Sequence, residues 1–265
     1  MVILFICVMR AFDLLGNIAL VNFPRDWKNQ EKVEFAKKLM KYNNVVKTVL
    51  EKSGKVKGRL RKPETKYVFG EKTKEVLYRE NNCVFRFNVD NTYFSPRLSN
   101  ERKEISSKIK KGESVLVMFA GVAPYSIVIA KHVGIKVVSN ELNRIANKYG
   151  KQNAELNNLR SRIEFWDGDI KRLSKLKKVK FDVIVMPRPQ LKDSFLQEAF
   201  KFSKKGTRIY YYDFCGEEIK DQKEIVDKIK EQSKKAKKKI KILKKQKAGE
   251  IGPYRIRLRV DFKVL

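Results

Sequence analysis

One segment of the sequence combines small residues with a proline in an order suited to close contact between backbone and a ligand. It reads Phe119, Ala120, Gly121, Val122, Ala123 and Pro124 and follows an apolar run. Small residues let the backbone approach a bound molecule, and a helix start favours negative charge such as a carboxylate. Glu141 comes twenty residues after Gly121, at the end of the next apolar run, where an acid can hydrogen-bond ribose hydroxyls. Together these features indicate a site for an adenosine-containing cofactor without specifying which one.

A few further residues are expected to complete this cofactor site. Leu142 adjoins Glu141, and Asp167 and Asp169 follow the next predicted strand. An acid in that place can pair with an adenine amino group, and capping of the following helix is an equally good interpretation. The pattern is not specific by itself, because a dinucleotide fingerprint would contain three glycines where this segment has one.

A turn with two prolines follows the fourth strand predicted in this region. It reads Met186, Pro187, Arg188, Pro189 and Gln190. Prolines fix the backbone and remove hydrogen-bond donors, so the turn should be rigid. Since it lies at the carboxyl end of a strand, Pro187 and Pro189 are predicted to shape a substrate pocket, with Pro187 also bordering the cofactor. Simple termination of the strand is the alternative interpretation.

Cysteine and histidine usage argues against a metal site. Cys7, Cys83 and Cys215 are far apart and include no C-x-x-C pair, so neither a disulfide framework nor a zinc site is predicted. The single histidine, His132, follows an apolar run and is interpreted as a helix-end residue. A metal-dependent or Ser-His-Asp mechanism is therefore not expected.

The elements that must position these residues alternate between strand and helix from about residue 99 onward. Strands are predicted at 114–119, 135–139, 163–166, 181–186 and 207–212, and helices at 101–110, 124–132, 142–156, 194–202 and 217–235. The tail after residue 251 alternates at period two and should add a strand. Repeated strand–helix units predict an α/β domain over 99–265, with a doubly wound, open parallel sheet covered by helices on both faces.

The preceding part of the chain has a different pattern. It contains an apolar stretch at 14–23 with Gly16 as a turn, an amphipathic helix at 31–43 and an alternating strand at 84–89. A basic stretch punctuated by glycines includes Lys55, Lys57, Arg59, Arg61 and Lys62. We predict a small α+β domain over 1–98 with cationic loops.

The charge of the chain indicates a polyanionic partner. There are 61 Lys and Arg residues against 30 Asp and Glu residues, which gives a net charge of +31. Binding to phosphates releases condensed counterions and so favours nucleic acid as the partner. The surface of a thermophile protein would normally be enriched in Glu together with Lys, rather than show this two-to-one excess of basic residues. An anionic membrane as the partner, and a basic soluble protein without a polyanionic partner, are the alternatives. The lysine-rich run from Lys220 to Lys247 is interpreted as a solvated helix face followed by a basic strand.

The apolar opening, Met1 to Val8, is too short to span a bilayer and lacks the basic start and cleavage site of a signal peptide. It is predicted to be a strand, or an upstream extension if translation begins at Met9. We expect a cytoplasmic protein without a membrane partner.

Taken together, several segments resemble the archaeal and eukaryotic tRNA guanine-37 N1-methyltransferases. The matching stretches are residues 12–19, 79–83, 93–102, 118–125 and 140–143. The resemblance spans nearly the whole chain, and its motifs agree in order and spacing. It implies a class I methyltransferase (Rossmann-like) fold, S-adenosylmethionine as methyl donor, and the purine at tRNA position 37, in the anticodon loop, as target. We expect a monomer.

The sequence departs from the family pattern in three ways. Val117 and Ala123 stand where the family usually has Asp and Gly, so details of donor binding are expected to differ. The family's separate amino-terminal domain for the tRNA elbow is not recognised. Met-Pro-Arg-Pro replaces the usual Asn-Pro-Pro or Asn-Leu-Pro, which looks like the archaeal a-type subgroup. Some of its members also methylate carbon 7 of 4-demethylwyosine to give isowyosine, so a second activity is a hypothesis here.

The resemblance also implies catalytic roles. Methylation of guanine N1 requires loss of its proton and stabilisation of charge on O6, for which a carboxylate and a guanidinium are suited. Arg102 is the guanidinium that the family pattern favours, followed by Arg97; capping of the following helix is the alternative role for Arg102. Glu141 is either the base or only the ribose ligand.

Two other classes of function are weighed against this one. The first is the related aminocarboxypropyl transferase of wyosine synthesis, which uses the same donor but moves its other carbon chain. The second is a non-catalytic tRNA-binding protein derived from a methyltransferase. A 5-methylcytosine enzyme is disfavoured, because no Pro-Cys pair ends the fourth strand.

Overall fold

The structure, a computed structural model, describes residues 12–53, 64–188 and 191–265. The chain divides into two compact units, Met1–Pro96 and Arg97–Leu265, which are considered separately. Cys7, the apolar opening and most of the glycine-punctuated basic stretch lie outside the described residues.

The first unit contains a small sheet covered by one helix. Its described elements are β1 Phe12–Leu15, β2 Ile18–Val21, α1 Asn29–Tyr42, β3 Thr48–Lys52, β4 Thr65–Gly70, β5 Glu75–Glu80 and β6 Cys83–Asn88. The sheet has the order β1-β2-β3-β4, with β2 and β3 parallel and the other neighbours antiparallel, whereas β5 and β6 form a separate hairpin. The arrangement is the α+β unit expected from the sequence.

Local sequence explains the turns and the helix of this unit. Gly16 adopts a φ of +57°, and a Cβ there would lie 1.9 Å from the carbonyl oxygen of Leu77, so no larger residue fits. The backbone N–H of Lys28 donates to Glu31 Oε2 at 2.7 Å, which caps the start of α1. Phe35 and Leu39 of α1 are buried, as their spacing predicts.

The second unit is built around one sheet of seven strands. Its elements are α2 Ser99–Ser107, β7 Val115–Val117, α3 Pro124–Val133, β8 Val137–Glu141, α4 Arg144–Leu156, β9 Ile163–Asp167, α5 Ile170–Leu176, β10 Phe181–Met186, α6 Leu196–Phe202, β11 Ser203–Gly216, α7 Ile219–Lys235, β12 Ile240–Gly252 and β13 Arg255–Val264. The strand order is β12-β13-β11-β10-β7-β8-β9. From β7 the chain winds outward through β8 and β9, then returns to β10 on the other side of β7. The carboxyl ends of β7 and β10 therefore flank a topological switch point, where open α/β sheets bind ligands.

The alternation of strands and helices predicts a parallel sheet, but only part of the observed sheet is parallel. Strands β11, β10, β7, β8 and β9 run parallel, but β13 pairs antiparallel with both β11 and β12. The reason is the connection: only two residues join β12 to β13, and a tight turn can join only antiparallel strands.

A buried ionic network holds α2 against β13. The side chain of Arg259 is fully buried and contacts Glu101 and Glu104 of α2, with an Nη2–Oε1 distance of 2.7 Å to Glu104. Its Nε also donates to Asp261 Oδ1 at 2.7 Å. A buried arginine requires such partners, so this network fixes the helix that carries Arg102.

Candidate active site

The loop after β7 has an unusual backbone conformation. Phe119, Gly121 and Ala123 all have positive φ angles, of 58°, 59° and 67°. Two of the three are not glycine, so the backbone of this loop is strained. Pro124 follows as the first residue of α3, where a missing N–H costs nothing. The loop therefore makes a tight turn at the switch point of the sheet, with its backbone groups available to a ligand.

Glu141 is directly bonded to this loop. The backbone N–H of Gly121 donates to its Oε2 at 2.7 Å, and the N–H of Asn143 donates to its Oε1 at 2.8 Å. Burial raises the pKa of Glu141, although the hydrogen bonds from Asn143 and Gly121 act in the opposite direction. A carboxylate has about four acceptor positions, so the two oxygens retain capacity for further donors such as a vicinal diol.

Asparagines that the sequence analysis did not single out support Glu141. Asn143 Oδ1 caps α4 by accepting from the backbone N–H of Ile145 at 3.0 Å. Asn147 Nδ2 donates to the carbonyl of Glu141 at 3.0 Å, while its buried Oδ1 has no hydrogen-bond partner in the part of the chain that the structure describes. Asn140 Nδ2 bridges the carbonyls of Trp166 and Gly168. Only the family motif around residue 140 could have pointed to these amides.

The two aspartates predicted to border the cofactor have structural partners. Asp169 accepts the backbone N–H of Lys171 at 2.9 Å and thereby caps α5, so the helix-cap interpretation is the one that the structure bears out in its hydrogen bonds. Asp167, the last residue of β9, forms an ion pair with Lys151 at 3.0 Å and is half exposed. Leu142 lies between Glu141 and the cap of α4 and is partly buried.

The double-proline turn is anchored by its arginine. Arg188 is buried, and its Nη1 contacts Asp213 Oδ1 at 2.5 Å. Its Nη2 donates to the carbonyl of Asp193 at 2.8 Å and also to that of Leu191. Burial alone would raise the pKa of Asp213, but the charges of Arg188 and Lys228 outweigh it and the pKa is lowered. Pro187 is partly buried at the end of β10, and Pro189 lies outside the described residues.

An aromatic contact connects the loop after β7, here called the cofactor loop, with the segment that follows the double-proline turn. The rings of Phe119 and Phe195 meet edge to face with 5.0 Å between their centroids. Phe195 also has a positive φ, of 56°, and directly precedes α6. The carboxyl ends of β7 and β10 are therefore joined by a pair of residues that both hold strained backbone.

Arg102 is placed in the interior of α2 rather than at a helix end. Its side chain is 1% exposed and lies 5.8 Å from the ring of Tyr125, the residue after Pro124. The hydroxyl of Tyr125 is 3.4 Å from that of Tyr212, which donates to Glu101 at 2.7 Å. Burial raises the pKa of Tyr125 to about 12, so this ring stays neutral. The arrangement brings Arg102 beside the start of α3.

Arg97 occupies a different environment. It is exposed on the short 3₁₀ helix Pro96–Leu98 and lines a cavity of about 500 Å³ together with the β12–β13 hairpin. Another cavity, of about 640 Å³, lies at the amino ends of β7, β8 and β9. That end of a parallel sheet lies opposite the switch point, so we place the candidate site at the carboxyl ends.

Comparison with known proteins decides the family. A profile described as "TRM5/TYW2 methyltransferase domain" matches residues 76–243, and one described as "TYW2 N-terminal domain" matches residues 7–73. The chain belongs to the TRM5/TYW2 methyltransferase family. Membership confirms the resemblance inferred from the motifs and the Rossmann-like fold expected from it.

Two relatives within the TRM5/TYW2 family are informative. The chain is 32% identical over 254 residues to tRNA (guanine(37)-N(1))-methyltransferase Trm5b of Pyrococcus abyssi, which covers 96% of this chain and 74% of that protein. It is 44% identical over 147 residues to tRNA (guanine(37)-N(1))/4-demethylwyosine(37)-methyltransferase Taw22 of Nanoarchaeum equitans, which covers 56% of this chain. The matched part is 48% of the Nanoarchaeum protein's length.

Solved structures in the TRM5/TYW2 family have the same fold. The crystal structure of Pyrococcus abyssi Trm5b superposes with a TM-score of 0.84 at 31% identity, covering 96% of this chain and 74% of that chain. A complex of archaeal Trm5 with tRNALeu superposes with a TM-score of 0.83 at 25% identity, covering 96% and 72%.

Two further observations concern metal binding and membrane-spanning helices. In the described ranges, no group of three or more His, Cys, Asp or Glu residues is placed to hold a metal ion. None of the helices that the structure describes is long and apolar enough to cross a bilayer.

Proposed function

We propose that this chain is an S-adenosylmethionine-dependent tRNA methyltransferase that transfers a methyl group to N1 of guanosine 37. We propose further that it acts as a monomer in the cytoplasm and that 4-demethylwyosine 37 is a second substrate, methylated at C7. The observation that carries the proposal is the hydrogen bond between Gly121 N–H and Glu141 Oε2 at the switch point of the sheet. That bond joins the loop after β7 to the acidic residue at the end of β8.

The names of the relatives support the choice of substrate. The Pyrococcus protein is named for guanine-37 N1, the Nanoarchaeum protein for both guanine 37 and 4-demethylwyosine 37, and a relative in Saccharolobus solfataricus for 4-demethylwyosine 37 alone. The last of these is 29% identical over 206 residues. The net charge of +31 agrees with an RNA substrate.

The residues present fit the methyl donor. Glu141 keeps unused acceptor positions that suit the two ribose hydroxyls, and Asn147 Oδ1 is a buried acceptor without a partner among the described residues. The tight turn at 119–123 allows backbone N–H groups to meet the amino-acid part of the donor. When bound, the donor supplies an electrophilic methyl group on a sulfonium. Val117 is fully buried within β7, so the acid that the family usually has there is replaced by a core residue.

The protein's own groups would then orient the target and stabilise its charge. As N1 takes the methyl group, the N1–H bond breaks and its proton passes to water. The negative charge that develops on O6 is proposed to be bound by Arg102, which lies beside the start of α3. Glu141 is proposed as the ribose ligand, since two backbone N–H groups direct its carboxylate toward the loop. Pro187 would border the base, and most of the rate enhancement would come from orientation.

The match of residues 7–73 to the TYW2 N-terminal domain favours a second candidate, the aminocarboxypropyl transferase of wyosine synthesis. It uses the same donor but breaks a different carbon–sulfur bond, so the two reactions differ in the mass added to the nucleoside. A donor labelled in the methyl group and one labelled in the carboxyl group therefore separate them.

The test uses both labelled donors with unmodified tRNA transcripts that carry guanosine or adenosine at position 37. Methyl label on the guanosine transcript alone supports the proposal, and a transcript carrying 4-demethylwyosine then tests the second substrate. Transfer of carboxyl label would establish the second candidate. Failure to bind the donor, with tRNA binding intact, would indicate a non-catalytic binding protein.

A further inference from the structure

The turn between β12 and β13 places a tyrosine where a glycine would be expected. Gly252 pairs with Arg255 across the two strands, so Pro253 and Tyr254 form the whole loop. Tyr254 has a φ of +54°. In two-residue hairpin loops, positions with positive φ are normally filled by Gly, Asn or Asp, because a larger side chain is strained there.

Packing does not explain the tyrosine. Its side chain is 84% exposed, and no hydrogen bond, ion pair or ring contact joins it to any residue that the structure describes. A strained conformation that is not compensated by contacts suggests a functional constraint. The phenol ring is therefore presented to a molecule outside the fold.

The hairpin lies at the end of the sheet where the candidate active site lies. Arg255 pairs with Gly216, the last residue of β11, and β11 runs parallel to the strands that end at the cofactor loop and at Glu141. The tip of the hairpin thus projects from the same edge of the sheet as the candidate active site. This is the edge at which a substrate must approach.

The surroundings of the ring carry charges of both signs, with two arginines exposed beside them. Tyr254 and Pro253 border the 500 Å³ cavity, which Arg97, Glu217 and Glu250 also line. Lys247 Nζ lies 2.8 Å from Glu217 and 2.6 Å from Glu250, so a single cation offsets part of the charge of the two carboxylates. Arg97 and Arg255 are exposed next to the cavity.

We propose that Tyr254 is a stacking platform for an unpaired base of the RNA substrate, with Arg97 and Arg255 binding the flanking phosphates. An aromatic face accepts any nucleobase, and guanidinium groups suit phosphate oxygens. The proposal rests on the proposed function, which supplies a single-stranded loop as ligand. It adds a binding subsite on the same edge of the sheet as the candidate active site, and it explains why a tyrosine rather than a glycine has the positive φ in this turn.

The test compares Tyr254→Gly and Tyr254→Trp with the unaltered protein. The probe is a fluorescent anticodon stem-loop RNA, whose affinity is measured at fixed salt by anisotropy. Tyr254→Gly should weaken binding about tenfold, in line with the loss of one base–aromatic stack, and Tyr254→Trp should bind as tightly as the unaltered protein. Leu176→Gly, which removes a side chain that is 68% exposed, is the control for loss of an apolar surface group.

Thermal unfolding separates this role from a structural one. Because glycine adopts positive φ without strain, Tyr254→Gly should unfold at the same temperature or higher. A lowered unfolding temperature with unchanged RNA affinity would show that the tyrosine only supports the hairpin. Equal weakening for a fully paired RNA of the same length would also overturn the stacking role.

Activity of the unaltered protein distinguishes failure of this proposal from failure of the proposed function. If the protein methylates tRNA but Tyr254→Gly binds the stem-loop normally, only the stacking role is overturned. If the protein binds no RNA at all, both proposals fail. Binding of anionic lipid vesicles that is lost in Tyr254→Gly, without an effect on RNA, would assign the ring to a membrane surface instead.

Discussion

Arg188 and Asp213 form a buried ion pair between the end of β10 and strand β11, with 2.5 Å between Nη1 and Oδ1. Both side chains are almost completely enclosed, at 1% and 8% exposure. Arg188 also reaches the carbonyls of Leu191 and Asp193, and the N–H of Phe195 donates to Asp193 Oδ1 at 2.9 Å. The arginine of the Met-Pro-Arg-Pro turn is therefore directed into the protein, where it holds the segment that leads to α6.

Replacing Arg188 with Met should reduce the free energy of unfolding by about 3 kcal/mol, because the buried Asp213 carboxylate loses its buried cation and keeps only the partly exposed Lys228. Urea unfolding of Arg188→Met measures the loss. Adding Asp213→Leu to the same chain should restore part of it, since the buried carboxylate that lost Arg188 is then removed. Equal stabilities of the single and double variants would contradict the pairing.

Substitution of Arg102 should separate donor binding from methyl transfer. Arg102→Ala is expected to retain affinity for S-adenosylmethionine while transfer to tRNA falls by about a hundredfold or more, since charge on O6 loses its stabilising group. Calorimetric titration with the donor and single-turnover transfer measure the two quantities. Arg102 is buried beside Tyr125, so its loss could also affect packing. Arg102→Lys is the second variant, because it keeps a long side chain and the positive charge. Lys103→Ala, on the exposed side of α2, is the control, and equal loss of binding and transfer in Arg102→Ala would refute the role.

Glu141→Gln should weaken donor binding about tenfold or more. The amide offers one acceptor where the carboxylate offers two, so either Gly121 N–H or Asn143 N–H would face an NH₂ donor. Titration with S-adenosylhomocysteine measures the effect without turnover. Glu155→Gln, at a side chain that is 61% exposed, should bind normally. Unchanged affinity in Glu141→Gln would remove this residue from the cofactor site.

Stability should depend on pH through Glu104. A hydrogen bond from Arg259 is the main cause that lowers the pKa of Glu104 to about 2, from an ordinary value of 4.5. A carboxyl group whose folded pKa is lowered stabilises the protein above its unfolded pKa, and this contribution is lost as the pH falls from about 4.5 to about 2. The contribution should be about 1–2 kcal/mol after allowing for partial exposure. Urea unfolding of Glu104→Gln between these pH values should show a correspondingly flatter dependence, and an unchanged pH profile would contradict the coupling.

The order of elements in the second unit could be predicted from the sequence because strands β7 to β10 are short, apolar and separated by periodic helices. The loop at 119–124 and the acid at 141 were also predicted, and the structure brings them into direct contact. In the first unit, strands β3, β4 and β5 were not recognised individually. Strand β4 has two exposed residues, Lys66 and Tyr67, in sequence, so it lacks the period-two pattern on which recognition depends.

Tertiary pairing explains most of what the sequence analysis missed. The burial of Arg259 was not predicted because, although Asp261 is close along the chain, its partners Glu101 and Glu104 on α2 are more than 150 residues away. Arg188 was likewise considered only as part of a rigid turn, because Asp213 is 25 residues distant. The hairpin at Pro253 and Tyr254 was missed for a different reason: tyrosine is not a residue that turn chemistry predicts at positive φ.

Strand β12 forms one edge of the seven-stranded sheet, and its thirteen residues leave a long row of backbone groups facing solvent. Such an edge can pair with another chain and seed aggregation. Three register irregularities interrupt β12, and the strand carries Lys241, Lys244, Lys245 and Lys247, so an approaching strand would meet a distorted backbone and positive charge. These lysines therefore disfavour pairing of this edge with another chain. Substitutions that remove the charge of these lysines should use glutamine or serine. β-Branched apolar residues would make the edge of β12 prone to pair with another chain.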